Sequence, residues 1–190
     1  MHIHFGQPFN GNRSLALPDS LGQQVLGPTG LLNLLETHLG LLVFLPTQSE
    51  RIVQFRNVLN VCKEHTFYHK SFELDELGTA RTLLQWRDTW YLHGWQGNFD
   101  PGVSEQLATM AEVEASAVTT VAGCEGQRLQ AVLQMLEGGS IVPIRQISLY
   151  DEMESFPLAW RRVLERLPCK IVQPEPAAKA GTLLAQLQTA

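Results

Sequence analysis

Cysteine is scarce in this chain of 190 residues, and the three present, Cys62, Cys124 and Cys169, are far apart. None sits in a CxxC pair or beside histidines at metal-ligand spacing, which excludes a disulfide framework and a zinc ribbon and leaves reduced core or surface thiols. Basic charge is also short: 14 Lys and Arg face 19 Asp and Glu, for a formal net charge of −5. That balance argues against a whole-surface nucleic-acid binder, while leaving room for a local basic patch or a basic partner. Long apolar runs are missing. The longest, Leu39 to Leu45, is interrupted by Gly40 and is too short to span a bilayer. The start, Met1 to Gly6, has no basic region followed by an apolar one, so it is not a signal peptide. A soluble cytoplasmic protein without a membrane partner is expected.

What the chain does have is enough apolar content, 44%, for one domain with a real core or one domain carrying a sizeable insertion. His2 to Phe5 alternates polar and apolar side chains and predicts a short strand ended by Gly6. Gly6 to Arg13 has the glycine spacing of a phosphate-binding P-loop. It carries Asn12 and Arg13 where Lys and Ser or Thr are required, so the phosphate charge and the magnesium hydroxyl are both unmatched. A strand followed by a polar turn explains it better. Pro18 to Ser20 make a second turn, and Gln23 to Leu26 predicts another short strand.

The stretch Gly27 to Gly40 reads as a turn feeding directly into a helix. Pro28 and the two glycines Gly27 and Gly30 supply the turn, with Thr29 as candidate N-cap. Leu31, Leu34, Leu35 and Leu39 recur at helical spacing, and Gly40 lies where a helix closes in a left-handed residue. A glycine-bounded loop at a helix N-terminus is where nucleotide-binding proteins hold phosphate, which makes Gly27, Pro28, Thr29 and Gly30 the candidate cradle.

Beyond it, Leu41 to Leu45 fits either a strand or a continued helix, and Pro46 ends it. Thr47 or Ser49 caps a helix running to about Glu64 with Ile52, Phe55, Val58, Leu59 and Cys62 on its apolar face. Phe67, Tyr68 and Phe72 form an aromatic connection. Asp75 opens a helix to about His93 in which Leu77, Ala80, Leu84 and Trp90 or Tyr91 line one side. Gly94 to Gly102 is the clearest break. Ser104 restarts a helix through Ala117, and Gly123 to Gly126 separates it from one carrying Leu129, Val132, Leu133 and Leu136. From Ile144 to Tyr150 the period becomes that of a strand. Pro157 fits a first helical turn, the helix runs to Pro168, and Cys169 to Val172 is one more strand. A strand, helix, strand unit of that length points to a parallel pair. The expected fold is α/β, a small parallel sheet with flanking helices, interrupted by a large all-helical insertion. Residues 1–46 and 138–174 would form the α/β subdomain, 47–137 the insertion, and 175–190 a linker with the start of a following segment.

The motifs Gly27-Pro28-Thr29-Gly30-Leu31-Leu32 with Leu35-Glu36-Thr37-His38-Leu39-Gly40, then Ser49-Glu50-Arg51, then Gly78 to Asp88 with Gly94-Trp95, carry a resemblance. They are similar to the N-terminal part of inactivated superfamily I helicases fused to a PD-(D/E)XK nuclease, a family that includes the B subunit of ATP-dependent helicase/deoxyribonuclease. The resemblance covers about residues 20 to 173 and implies a motor fold without motor chemistry, in the service of DNA repair. In active relatives a P-loop lysine and the Ser or Thr after it contact phosphates and magnesium. Here Thr29, Gly30, Leu31 and Leu32 stand in that stretch, so no ATP hydrolysis and no cofactor are expected of this chain. The family's nuclease residues would lie downstream in a longer protein, with DNA and a helicase or nuclease subunit as partners.

Other candidate sites are weaker. Arg81 and Arg87 could contact phosphates and Trp86, Trp90 or Trp95 could stack on bases, yet a helix packed on its aromatic side uses the same residues, and acidic neighbours weaken a phosphate funnel. Arg161, Arg162 and Arg166 with Lys170 form the basic cluster, which a solvated helix face also explains, with Glu165 interrupting it. His2 and His4 could pair as metal ligands on one face of a strand, but no third ligand is identifiable, and His65 and His69 lack the HExxH glutamate. No metal is expected. No Gly-x-Ser-x-Gly turn supports a hydrolase. The rival reading is a free-standing helical interaction module with an exposed patch drawn from Phe67, Tyr68, Trp86, Trp90 and Trp95.

Overall fold

The computed structural model describes residues 1–10, 21–41, 46–64, 66–100 and 102–172. The turn expected at Pro18 to Ser20, the run Leu42 to Leu45, residues 11–13 of the P-loop-like spacing, His65 and the tail from Gln173 lie outside them. The elements in chain order are β1 (His2–Phe5), β2 (Gln23–Leu26), α1 (Pro28–Leu39), α2 (Gln48–Cys62), α3 (His69–Leu74), α4 (Glu76–Leu92), α5 (Glu105–Thr120), α6 (Glu125–Glu137), β3 (Gln146–Leu149), α7 (Leu158–Glu165) and β4 (Cys169–Ile171). No described helix is long and apolar enough to cross a membrane.

The strands form one parallel sheet in the order β2-β1-β3-β4. Side chains alternate across a strand, and the register sets Ile3 opposite Ile147 and Phe5 opposite Leu149. Those four side chains therefore share a face, which Leu31, Leu32 and Leu35 of α1, Leu129 and Val132 of α6 and Trp160, Val163 and Leu164 of α7 cover. Phe5 stacks on Phe156 and meets Trp160. The other face carries His2, His4, Gln146 and Ser148, of which His4 and Ser148 are also buried, so these two strands alternate polar and apolar side chains where buried parallel strands usually read as continuous apolar runs. This is the small parallel sheet with flanking helices and helical insertion that the sequence pattern predicts.

A second core joins Ile52, Phe55, Val58 and Leu59 of α2, Tyr68, Phe72 of α3, Ala80, Leu83 and Leu84 of α4, and Met110, Val113 and Ala117 of α5. Thr47 caps α2 with a reciprocal capping box: Glu50 N–H donates to Thr47 Oγ1, and Thr47 N–H to the Glu50 carboxylate at 2.7 Å. Asp75 caps α4, its carboxylate accepting from Gly78 N–H at 2.8 Å. The aromatic connection leads into α3, and Tyr68 and Phe72 are buried together between helices. One local expectation changes. Leu77, in the first turn of α4, is exposed, and the buried stripe on that helix includes Arg87 instead.

The helical block expected over 47–137 divides in its packing. Its apolar core runs from Ile52 to Val121, whereas α6 puts Leu129 and Val132 under the sheet. What lets α6 lie close against α4 is Gly126: a Cβ there would stand 2.5 Å from the carbonyl carbon of Tyr91 and 2.6 Å from the amide nitrogen of Leu92. Only a residue without a side chain allows that approach of α6 to the end of α4.

Candidate functional site

All four strands run the same way, so their C-terminal ends lie along one edge of the sheet. In open α/β sheets ligands bind at that edge, in the crevice where strand order reverses. Here the reversal falls between β1 and β3, with β2 outside one and β4 outside the other. The candidate cradle after β2 lies on the same edge.

The crevice is filled by the chain itself. After Phe5 the backbone turns through a single 3-10 turn, Gln7 to Asn10. Gln7 N–H donates to the Asp151 carboxylate at 2.7 Å, and Gln7 Nε2 donates to the Ser155 carbonyl at 3.1 Å. Tyr150 N–H donates to the Phe5 carbonyl at 2.9 Å, continuing the β1–β3 ladder past its end. Phe9 then packs edge-on against Tyr150, ring centres 5.5 Å apart. The group that accepts from the first amide of the turn is thus a carboxylate, the wrong sign for holding phosphate.

The helix N-terminus is filled as well. A single residue, Gly27, separates β2 from α1, and it is the N-cap, with Pro28 in the first helical position. Thr29 is therefore not the cap as expected. Its amide points at Asn10, whose side-chain oxygen accepts from Thr29 N–H at 3.0 Å. Asn10 does the work of a cap from 19 positions upstream, taking one of the orphan amides that an anion would otherwise bind. The close fit explains Gly27: an added Cβ would overlap the backbone and side chain of Asn10. At the other end Gly40 closes α1 with φ 71°, the left-handed conformation expected from its position.

The remaining candidates are dispersed. Arg87 is corrected as a surface contact: its guanidinium is fully buried and bonded to Glu114 through Nε and, at 2.8 Å, through Nη2. Burial alone would lower its pKa, but the hydrogen bonds and charge of Glu114 outweigh that and raise it. Tyr91 Oη donates to the same carboxylate at 2.8 Å, and burial followed by this bond pushes its ionisation above the ordinary tyrosine range. Arg81 and Trp86 are exposed on α4, but five residues put them about 140° apart around a helix. Trp86 opens on a groove between α3 and α4 with Phe67, Ser71, Leu74 and Thr82. Trp90, Trp95 and Phe99 instead pack on one another. Arg161 is half-buried, and Arg162 is exposed in a separate groove between α6 and α7 beside Gln130, Gln134 and Glu137. Arg166 is tied to Glu137 at 2.8 Å. Burial pushes the Cys124 thiol up to about 11 and the Cys169 thiol up to about 12, so both are protonated and unreactive at neutral pH.

No protein-family model matches this chain, and no curated protein matches it.

The residues that shape the edge, Gln7, Asn10, Asp151 and Ser155, are the ones sequence reasoning passed over. Asn is a good cap type, which was the one signal available for Asn10, but nothing in local spacing connects it to a helix that starts 18 residues later.

Proposed function

We propose that this chain is a non-catalytic, helicase-like α/β domain with a helical insertion, acting as a scaffold or DNA-guiding part of a larger DNA-processing helicase-nuclease. The observation that carries the non-catalytic half is the plugged helix junction. A nucleotide-binding loop must wrap a phosphate between strand and helix, and it needs a lysine there. In this chain one glycine makes the connection, and the Asn10 amide takes up the first-turn N–H. What remains is the mechanical role of the motif: α1 docks on the sheet through Leu31, Leu32 and Leu35. The DNA-processing half rests on the motif resemblance, with Arg162 exposed in the groove between α6 and α7.

Isothermal calorimetry with ATP and magnesium is expected to give no binding to the chain, and tight binding would sink the inactive-motor reading. For the DNA role the full-length gene product is expected to bind or cut DNA with free ends, and its failure to do either would sink that half. A second reading, a free-standing interaction module, draws support from the exposed Leu74, Leu77 and Trp86 around α3 and α4. Reading the gene past Ala190 separates the two: an open frame leading to a nuclease motif favours the first, a stop codon the second.

A further inference from the structure

Two histidines stand side by side on the polar face of the central strand. His2 and His4 alternate with Ile3 and Phe5, so both rings leave β1 on the side away from the apolar core, and their centres are 4.5 Å apart. Each is tied to β3 or its end: His2 Nε2 lies 2.9 Å from Ser148 Oγ, and His4 Nδ1 lies 2.9 Å from Tyr150 Oη. His4 is 7% exposed and Ser148 4%. The second ring nitrogen of His4, Nε2, is buried with no hydrogen-bond partner.

We propose that the His2–His4 pair is an acid-sensitive latch on β1, closed while the buried His4 ring is neutral and opened when it is protonated. Among the described residues, the groups sharing this face give an imidazolium no counter-charge. From β2 they are Gln23 and Val25, by register with His2 and His4. From β3 and its end they are Gln146, Ser148 and Tyr150, and from β4 the cation Lys170, in register with Ser148. The nearest carboxylate at this end of the sheet, Asp151, is engaged by Gln7 N–H. Among the described residues neither histidine forms an ion pair with a carboxylate.

In either neutral tautomer Nδ1 keeps its bond to Tyr150, since the hydroxyl can donate or accept. A second proton changes that balance, because it puts a charged N–H at a buried nitrogen that has no partner here, next to another histidine, and the Gln23 side chain, which favours the charged ring, offsets this only in part. Burial first, and the charge of His2 second, hold His4 below the ordinary 6.5. A histidine whose folded pKa is depressed lends stability above its unfolded pKa, and that stability is lost as the pH falls below 6.5 toward the folded value. The site is well placed to matter. β1 is bonded on both sides, carries Ile3 and Phe5 into the core, and leads straight into the turn that delivers Asn10 to α1. Release of β1 therefore loosens the sheet and uncaps that helix together.

The test uses the whole chain. Thermal melts between pH 8 and pH 5.5 are expected to fall more steeply for the wild type than for His4→Gln, by on the order of 3 °C in Tm for each unit by which the His4 pKa is depressed. Proton NMR of the ring Cε1–H is expected to show His4 titrating below a histidine in an unstructured peptide. Parallel melts of the two proteins, or a His4 titration at or above the peptide value, would overturn the latch. Should His4→Gln fail to fold, the wild-type titration decides alone.

Discussion

The core under the sheet and the core of the helical block handle charge in opposite ways. Beneath the sheet the packing among the described residues is hydrocarbon and aromatic, Phe5 against Phe156 and Trp160, with a nearly buried ion pair between α1 and α6 at its side. There Arg128 of α6 holds Glu36 of α1 through Nε at 2.7 Å. The helical block instead sets Arg87 at its centre, fully buried, with Glu114 and Tyr91 around it. A second arginine, Arg51, grips Asp88 with two parallel bonds of 2.7 and 2.8 Å and donates to the Ala122 carbonyl at 3.1 Å. Helices can slide and rotate in ways that a hydrogen-bonded sheet cannot. We read the buried pairs as what fixes the register of α4 against α2 and α5, a hypothesis that follows from the geometry rather than from any expected gain in stability.

Breaking the central pair should therefore have the largest effect. Glu114→Ala leaves a buried guanidinium without its carboxylate, and a loss of about 3–5 kcal/mol is expected in chemical denaturation. The double variant Arg87→Met with Glu114→Leu is expected to recover most of that loss, since replacing both partners by apolar groups is often neutral. A register role shows in the double variant as altered near-UV circular dichroism of the tryptophans at near-normal stability. If Glu114→Ala costs less than about 1 kcal/mol, the typical worth of an exposed pair, the contrast between the two cores fails.

On the sheet side the matching cut is Leu35→Ala, at a fully buried position of α1, expected to cost about 2–5 kcal/mol from lost transfer energy and the cavity. Combined with Glu114→Ala it asks whether the cores are independent. Separate cores predict that the two losses add to within about 0.5 kcal/mol, whereas a larger departure would show that α6 transmits strain between them. Gly126→Ala attacks that bridge directly. Its Cβ would meet the backbone at Tyr91 and Leu92, so about 1–3 kcal/mol is expected, measured as a lower denaturation midpoint.

Much of this architecture was legible from period and punctuation. Strands of four residues showed themselves by alternation, as in His2 to Phe5, and α1 by its leucine spacing and the closing Gly40. Thr47, offered beside Ser49 as a cap, and Asp75 announced their helices by local chemistry that needs no tertiary partner. What could not be read was anything decided by long-range approach. Arg87 read either as a phosphate contact or as a packed arginine paired to Glu76, Asp88 or solvent, because its partner Glu114 sits 27 positions away on another helix and a helical wheel cannot show which charge has a buried mate. The split of the helical block was hidden for a similar reason: α6 has an ordinary apolar stripe, and only the sheet determines which core claims it. The glycine turn into α1 was legible at the β2–α1 junction, but the residue that takes up its amide comes from the turn after β1, 19 positions upstream of Thr29.

That plug gives the smallest and most specific test of how the sheet edge differs from a working nucleotide site. Asn10→Ala removes the oxygen that accepts from Thr29 N–H and is expected to cost about 1 kcal/mol, the usual worth of a cap. The loss should appear as a slightly lower denaturation midpoint with no change in slope, because the turn Gln7 to Asn10 is still anchored through Gln7 to Asp151 and Ser155. Unplugging the amide does not create a nucleotide site, since the Asp151 carboxylate stays beside the turn and the β2–α1 junction still lacks a lysine. Calorimetry of the variant with ATP and magnesium is thus expected to remain silent. If the variant gained ATP affinity, Asn10 would be a gate over a competent cradle, and the sheet edge would have to be read as a regulated site instead of a structural joint.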